Sequence, residues 1–214
     1  MTAFYNEIDP YAAQWMRNLI DAQLIAPGIV DTRSIEDVTP NDLKGFTQCH
    51  FFAGVGVWSH ALRMAGWPDN RQVWTGSCPC QPFSQAGKGA GVDDERHLWP
   101  HSVRVYVDPA PLPPFPWLIQ QCRPAAIFGE QVASKDGLAW LDTVQADLEG
   151  TRYTSAAVDI CAAGIGAPHI RQRLYWMAHT DSPTRQLGNN RSSREGVAEE
   201  TRRGMPVITG DGPF

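Results

Sequence analysis

No apolar run in this sequence approaches the roughly 20 residues that a helix needs to cross a bilayer. The polar start MTAFYNEIDP also lacks the basic and apolar parts of a signal peptide. These two absences predict a cytoplasmic location. Paired cysteines are missing too: Cys49, Cys78, Cys80, Cys122 and Cys161 are odd in number, irregularly spaced and form no C-x-x-C pair. Zinc or disulfide-exchange chemistry therefore has no ligand pattern to rest on, and reduced thiols are expected. Positive charge is scarce as well, since 18 basic residues face 23 acidic ones for a net charge of −5. That excludes nucleic-acid binding through bulk charge. Its distribution is uneven, however. From His169 to Arg203 seven arginines face four acidic residues, giving +3 and leaving −8 on the remainder. What the chain does have is 43% hydrophobic residues over 214 positions, with 19 Gly and 17 Pro. This is the profile of one globular domain with many turns, able to bury a core without disulfides.

Apolar strand starts alternate with helical patterns along the chain. Asp9-Pro10 is an N-cap followed by proline at the first helical position, and Tyr11, Trp15, Met16, Leu19 and Ile20 then recur at helical spacing until Pro27-Gly28. A short strand is expected within residues 29–38. QCHFFAGVG runs from a strand into a glycine turn and on into the helical VWSHALRMAG, with Gly66 as its C-cap. Further strands are predicted at Gln72–Thr75, over AAIFGE ending at Glu130, at Tyr153–Cys161 and at Leu174–Ala178, with a helix over Gly137–Leu148. VDPAPLPPFP, with five prolines in ten residues, reads as an exposed loop. Beyond Thr180 the chain turns polar and Arg/Gly-rich and predicts a disordered tail. The alternation implies an α/β fold with a mostly parallel sheet, helices on both faces, and ligand sites at the carboxyl ends of the strands.

Four segments carry possible chemistry. Gly54 and Gly56 follow a strand and precede a helix, where backbone N–H groups can approach a ligand; an ordinary turn is an equally good reading. In GSCPCQPFSQAGKGAG, Cys80 lies between Pro79 and Gln81 in a glycine-rich loop after a strand, as an exposed, rigidly aimed nucleophile requires. Glu130, ending an apolar strand, suits a partly desolvated general acid, against the alternative of a solvated strand end. His169, Arg171 and Arg173 alternate, so an extended backbone points them one way, toward a base or phosphate or simply toward water.

Together these segments resemble the DNA (cytosine-5) methyltransferase family. FAGVG is similar to its methyl-donor glycine motif, PCQPFS to its nucleophile motif, GEQV to its Glu-Asn-Val motif and HIRQR to its Gln-x-Arg-x-Arg motif, in family order from Phe52 to Ala178. Gln131 stands where the family has asparagine and His169 where it has glutamine. The front of the chain resembles two motifs that normally follow the glycine motif: YNEIDPYAAQ and RSIEDV. The order is thus permuted, and the compact arrangement resembles members carried by phages. No recognition region or final asparagine motif of the family's kind follows HIRQR.

The resemblance implies a Rossmann-like S-adenosylmethionine-dependent methyltransferase fold over residues 1–180, with 181–214 a disordered tail or a truncated target-recognition region. It implies donor contacts from Glu7 on the ribose, Ile8 on the adenine, and Ser34 and Ile35 at its edge, where Ser34 replaces the usual aspartate. Phe52, Ala53, Gly54, Gly56, Pro79 and Leu98 complete the donor set. Cys80, Glu130, Arg171 and Arg173 are the implied catalytic residues, and Gln81, Ser84 and Lys88 the implied contacts to double-stranded DNA, with a second chain as a possible source of target recognition. Two rival readings remain: an inactive or split fragment that binds donor or DNA without turnover, and a dinucleotide-dependent oxidoreductase. The second lacks the third glycine of G-x-G-x-x-G, since Ser59 and His60 stand near that position.

Overall fold

A computed structural model describes residues 2–78 and 114–180. Among the described residues seven strands form one sheet: β1 (Ala3–Asn6), β2 (Gly28–Asp31), β3 (Gln48–Phe51), β4 (Val73–Gly76), β5 (Ala126–Val132), β6 (Tyr153–Cys161) and β7 (Gln172–Thr180). Their spatial order is β2-β1-β3-β4-β5-β7-β6. The first five are mutually parallel, while β7 runs antiparallel to both β5 and β6. The α/β class expected from the alternation of elements is what the structure has.

Helices α1 (Pro10–Asp21), α2 (Val57–Met64), α3 (Pro114–Cys122) and α4 (Lys135–Gly150) cover the sheet. Strand alternation assigns them to faces. Tyr5 packs with Met16 of α1 and with Ile25, and its hydroxyl lies 2.9 Å from Ser59 Oγ of α2, so α1 and α2 share the Tyr5 face. Phe4, Cys49 and Phe51 point the other way, into a larger core with Phe115, Leu118 and Ile119 of α3 and Trp140, Leu141, Val144 and Leu148 of α4.

Local signals explain most element ends. Asp9 accepts a hydrogen bond from Ala12 N at 2.8 Å and caps α1, as its place before proline predicts. That helix stops at Asp21, before the expected Pro27-Gly28, and Gly28 instead opens β2. At the end of α2, Gly66 (φ +74°) donates to Arg63 O and Trp67 N to Leu62 O, the paired bonds of a Schellman turn. Ser134 caps α4 through Gly137 N at 3.0 Å.

Three expectations need correction. The last three residues of the proline-rich stretch, 114–116, are helix and not loop, because α3 begins at Pro114, while 107–113 lie outside the described residues. Prolines are tolerated in a first helical turn, where the missing N–H has no partner to lose, and Phe115, Leu118 and Ile119 then anchor the helix in the core. Strand β5 continues past Glu130 to Val132, because β7 pairs with it as far as Val132↔Arg173. The strand expected within 29–38 is confined to Gly28–Asp31, and Ile35–Asp37 is a short 3-10 turn. The tail expectation falls on residues 181–214, which lie outside the described residues.

The Tyr5 face also buries a polar network inside the sheet. His50, 1% exposed, bonds Thr75 Oγ1 through Nδ1 at 2.8 Å and Gln48 Oε1 through Nε2 at 3.3 Å, and stacks on Tyr5. Burial drives its pKa down from 6.5 to about 3, so the folded chain holds it neutral. The unfolded chain takes up a proton near pH 6.5 that the folded chain refuses until about pH 3. Stability is therefore lost as pH falls below about 6.5, by about 1.4 kcal/mol per pH unit, or about 2 kcal/mol at pH 5. Urea titrations at pH 7 and pH 5 on the wild type and His50→Gln check this: the drop should shrink by most of that amount in the variant. An equal drop in both would remove His50 as its cause.

Candidate active site

A parallel sheet ordered β2-β1-β3-β4-β5 reverses its winding between β1 and β3, and the crevice outside the carboxyl ends of those two strands is where such sheets take ligands. Glu7 follows β1 and the glycine turn follows β3, so the pairing of these two strands brings both to this crevice. Glu7 Oε2 accepts from Gly54 N at 2.7 Å and Glu7 Oε1 from Asp9 N at 2.9 Å. Phe52, Gly54 and Gly56 all have left-handed backbone, with φ of +52°, +56° and +79°. The two glycines differ in function. A Cβ on Gly56 would meet Ile25 and Met16 at 3.3–3.4 Å, so this glycine lets α2 close on α1. A Cβ on Gly54 would meet nothing within 4 Å, so this glycine opens toward free space beside the Glu7 carboxylate.

Around this crevice Ile8 is 66% exposed, as a ligand-facing side chain requires. Asn6 Nδ2 donates to Arg33 O at 2.9 Å and ties the β2 loop to the end of β1. Arg33 also pairs with Asp31 at 2.6 Å and Asp42 at 3.2 Å. Burial pushes the Asp31 carboxyl up, but the hydrogen-bonded Arg33 outweighs it and holds it below its usual range. Ser34 caps the 3-10 turn through Glu36 N at 3.4 Å. The Ile35 side chain belongs to the core, at 4% exposure, so only its backbone is left to face a ligand. Ala53 is buried and Phe52 half-buried against Phe115.

The second half of the site lies on β4, β5 and β7. Glu130 and Arg173 sit on one face of the paired strands, and Arg173 Nε meets Glu130 Oε1 at 2.5 Å. Glu130 remains 25% and Arg173 18% exposed, so the glutamate is partly desolvated, as its place on an apolar strand predicts, and it is held in an ion pair. His169 and Arg171 are exposed and precede β7, so the regular alternation with Arg173 begins only at Gln172. Gln131 points to the opposite face and is 1% exposed; its Oε1 accepts from Val132 N, and its Nε2 has no hydrogen-bond partner.

Cys78 is buried at the exit of β4, and burial pushes its thiol up to about 12, which leaves it a protonated core residue. Of the two cysteines in CPC, it is thus the one unsuited to nucleophilic work. Pro79, Cys80, Gln81, Ser84, Lys88 and Leu98 lie outside the described residues. Among the described residues no group of His, Cys, Asp and Glu could hold a metal ion, and no helix is long and apolar enough to cross a membrane.

The family model described as "C-5 cytosine-specific DNA methylase" matches residues 66–203. A type II methyltransferase, M.NgoMIV of Neisseria gonorrhoeae, is 49% identical over 37 residues, which are 17% of this chain and 12% of that protein. Among solved structures, the chain is similar to the Spodoptera frugiperda DNMT2 mutant E260A/E261A/K263A (18% identity, TM-score 0.44, 85% of this chain and 43% of that one). It is also similar to a DNA modification methyltransferase encoded within a prophage of E. coli (12% identity, TM-score 0.44, 84% and 47%). The chain thus spans less than half of each of these two solved chains.

Proposed function

Because this chain belongs to the C-5 cytosine-specific DNA methylase family, we propose that it transfers a methyl group from S-adenosylmethionine to C5 of a cytosine in double-stranded DNA. The observation that carries this reading is the convergence of two half-sites at the carboxyl edge of one sheet. Glu7 and the open Gly54 turn stand over the β1/β3 crevice, and Glu130 and Arg173 stand on β5 and β7. The catalytic domain is read as residues 1–180.

The first half-site fits the donor. A carboxylate that already accepts from two backbone N–H groups keeps lone pairs for a ribose diol, and exposed Ile8 beside it offers an apolar face for an adenine. Ser34, the Ile35 backbone, Phe52 and Ala53 are further proposed donor contacts, as are Pro79 and Leu98, which lie outside the described residues. Once bound, the donor supplies an electrophilic methyl on sulfur.

Cytosine C5 is too electron-poor to attack that methyl, and in a duplex it is stacked out of reach, so the base is flipped into the site. The Cys80 thiolate adds to C6, and the displaced ring electron pair moves onto C5 and N3. Glu130 hydrogen-bonds N3, or delivers a proton there, and Arg173 holds O2 through charge-assisted bonds. The enamine carbon C5 then takes the methyl as its bond to sulfur breaks, and the electron pair of that bond stays on the sulfur, which leaves as a neutral thioether. Loss of the C5 proton to a base re-forms the C5–C6 double bond and expels the Cys80 thiolate. Arg171, exposed before β7, supports the nucleophile loop or a phosphate in this reading, and Gln81, Ser84 and Lys88, which lie outside the described residues, are the proposed DNA contacts. Target recognition from a second chain is part of the proposal.

The test is transfer of a labelled methyl from S-adenosylmethionine to mixed-sequence DNA, followed by nucleoside analysis. Label in 5-methylcytosine is the expected result. Label on an exocyclic amine, or none while the donor still binds, would overturn the activity and leave a donor-binding fragment.

A further inference from the structure

Trp58 was read from the sequence only as part of a helical pattern, yet it is the side chain at which the two half-sites meet. It is the second residue of α2, directly after the Gly54–Gly56 turn. Its indole Nε1 donates to Ser77 Oγ at 2.9 Å. Its ring packs against Phe128 of β5 (centroids 6.0 Å apart, 32° between planes) and edge-on against Tyr175 of β7 (6.1 Å, 80°). Phe128 is two residues before Glu130 on the same face, and Tyr175 is directly opposite Glu130 in the β5–β7 register. The β4–β5 register ends at Gly76↔Gly129, so Ser77 follows on a level with Glu130, three residues ahead of Cys80.

We infer that Trp58 is a positioning residue, which sets the exit of β4 at Ser77 against Glu130 and Arg173 and couples it to the donor turn, so that the chain enters the Cys80 segment from a fixed point. The inference rests on the proposed methyltransferase reading. Packing alone would need only an aromatic ring at this position. The indole N–H bond adds a direction: Ser77 Oγ is held at a fixed height beside Glu130, and Phe128 and Tyr175 keep the indole from rotating. An approach of thiolate to C6 that is wrong by an ångström loses rate while leaving binding intact.

Two variants separate positioning from packing. Trp58→Phe keeps the ring and loses the donor; Ser77→Ala keeps the whole tryptophan and loses the acceptor. Each should lower kcat by roughly fivefold to tenfold, the scale of one net hydrogen bond, with KM for donor and DNA unchanged within about twofold. The double variant should be no slower than either single one, because both remove the same bond. In parallel, the rate at which iodoacetamide modifies Cys80 in the free protein, followed by peptide mass spectrometry, should shift equally in the singles and the double. Thermal midpoints report whether all three variants fold. Independent, multiplicative losses, or kcat and Cys80 alkylation both unchanged, would overturn the inference. If the wild type transfers no methyl group, the proposed activity fails, and alkylation alone then decides the coupling of Trp58 to the nucleophile segment.

Discussion

Cys80→Ser is expected to reduce methyl transfer by about a million-fold, the scale seen when a nucleophile is lost from a covalent mechanism. A serine hydroxyl at neutral pH carries almost no alkoxide, so addition to C6 fails before the methyl can move. Donor affinity should stay within about threefold, because Glu7, Gly54 and Ile8 stand on the β1/β3 crevice and not on the β4 loop. Glu130→Gln tests the same step from the other side. It retains a hydrogen-bonding group of the same length but no acid and no ion pair with Arg173, and a loss of about a hundredfold to a thousandfold is expected. The pair is partly open to solvent, so the variant should remain folded. Labelled methyl transfer measured beside donor titration by calorimetry checks both variants. A serine variant that kept more than about one per cent of the activity would rule out the covalent route.

The elements around the β1/β3 crevice were legible in the sequence because their signals are local. Asp9-Pro10 marks a helix start, the Gly54 turn follows one strand and Glu7 follows another; the resemblance of the front segments to later family motifs adds only a permuted order. That β1 lies beside β3 comes from the structure. What was illegible is non-local. Nothing in AAIFGEQV says that β7 will extend the strand to Val132 and leave Glu130 paired with Arg173. The polar network of Gln48, His50 and Thr75 was invisible for the same reason, since its partners come from two strands and each residue alone reads as a surface residue. Helix α3 is a different case. Phe115, Leu118 and Ile119 already carried helical spacing, but the proline run outweighed it, although prolines at a helix start cost no hydrogen bond. Trp58 shows the limit most clearly: its place in a helix was readable, while its bond to Ser77, 19 residues away, needed the sheet.

Gly129→Ala is expected to be the most damaging single methyl group that can be added to the catalytic strands. Gly129 precedes Glu130 and sits directly opposite Trp176 in the antiparallel pair. A Cβ there would lie 2.2 Å from Trp176 Cε2 and Cζ2, far inside van der Waals contact. Trp176 is 2% exposed and belongs to the larger core, so its ring has no free volume to move into. Overpacking of this kind costs about 3 kcal/mol or more when neither partner can yield. The consequence reaches the site, because any shift of Trp176 moves Tyr175, which faces Glu130, and Arg173, which pairs with it. Urea unfolding of Gly129→Ala should therefore show a lowered midpoint, with methyl transfer reduced even where the protein is fully folded. Trp176→Phe in the same background relieves the contact and should recover part of both. If Gly129→Ala proves as stable as wild type to within about 0.5 kcal/mol, the ordinary range for harmless substitutions, the glycine before Glu130 is not there to make room for the tryptophan.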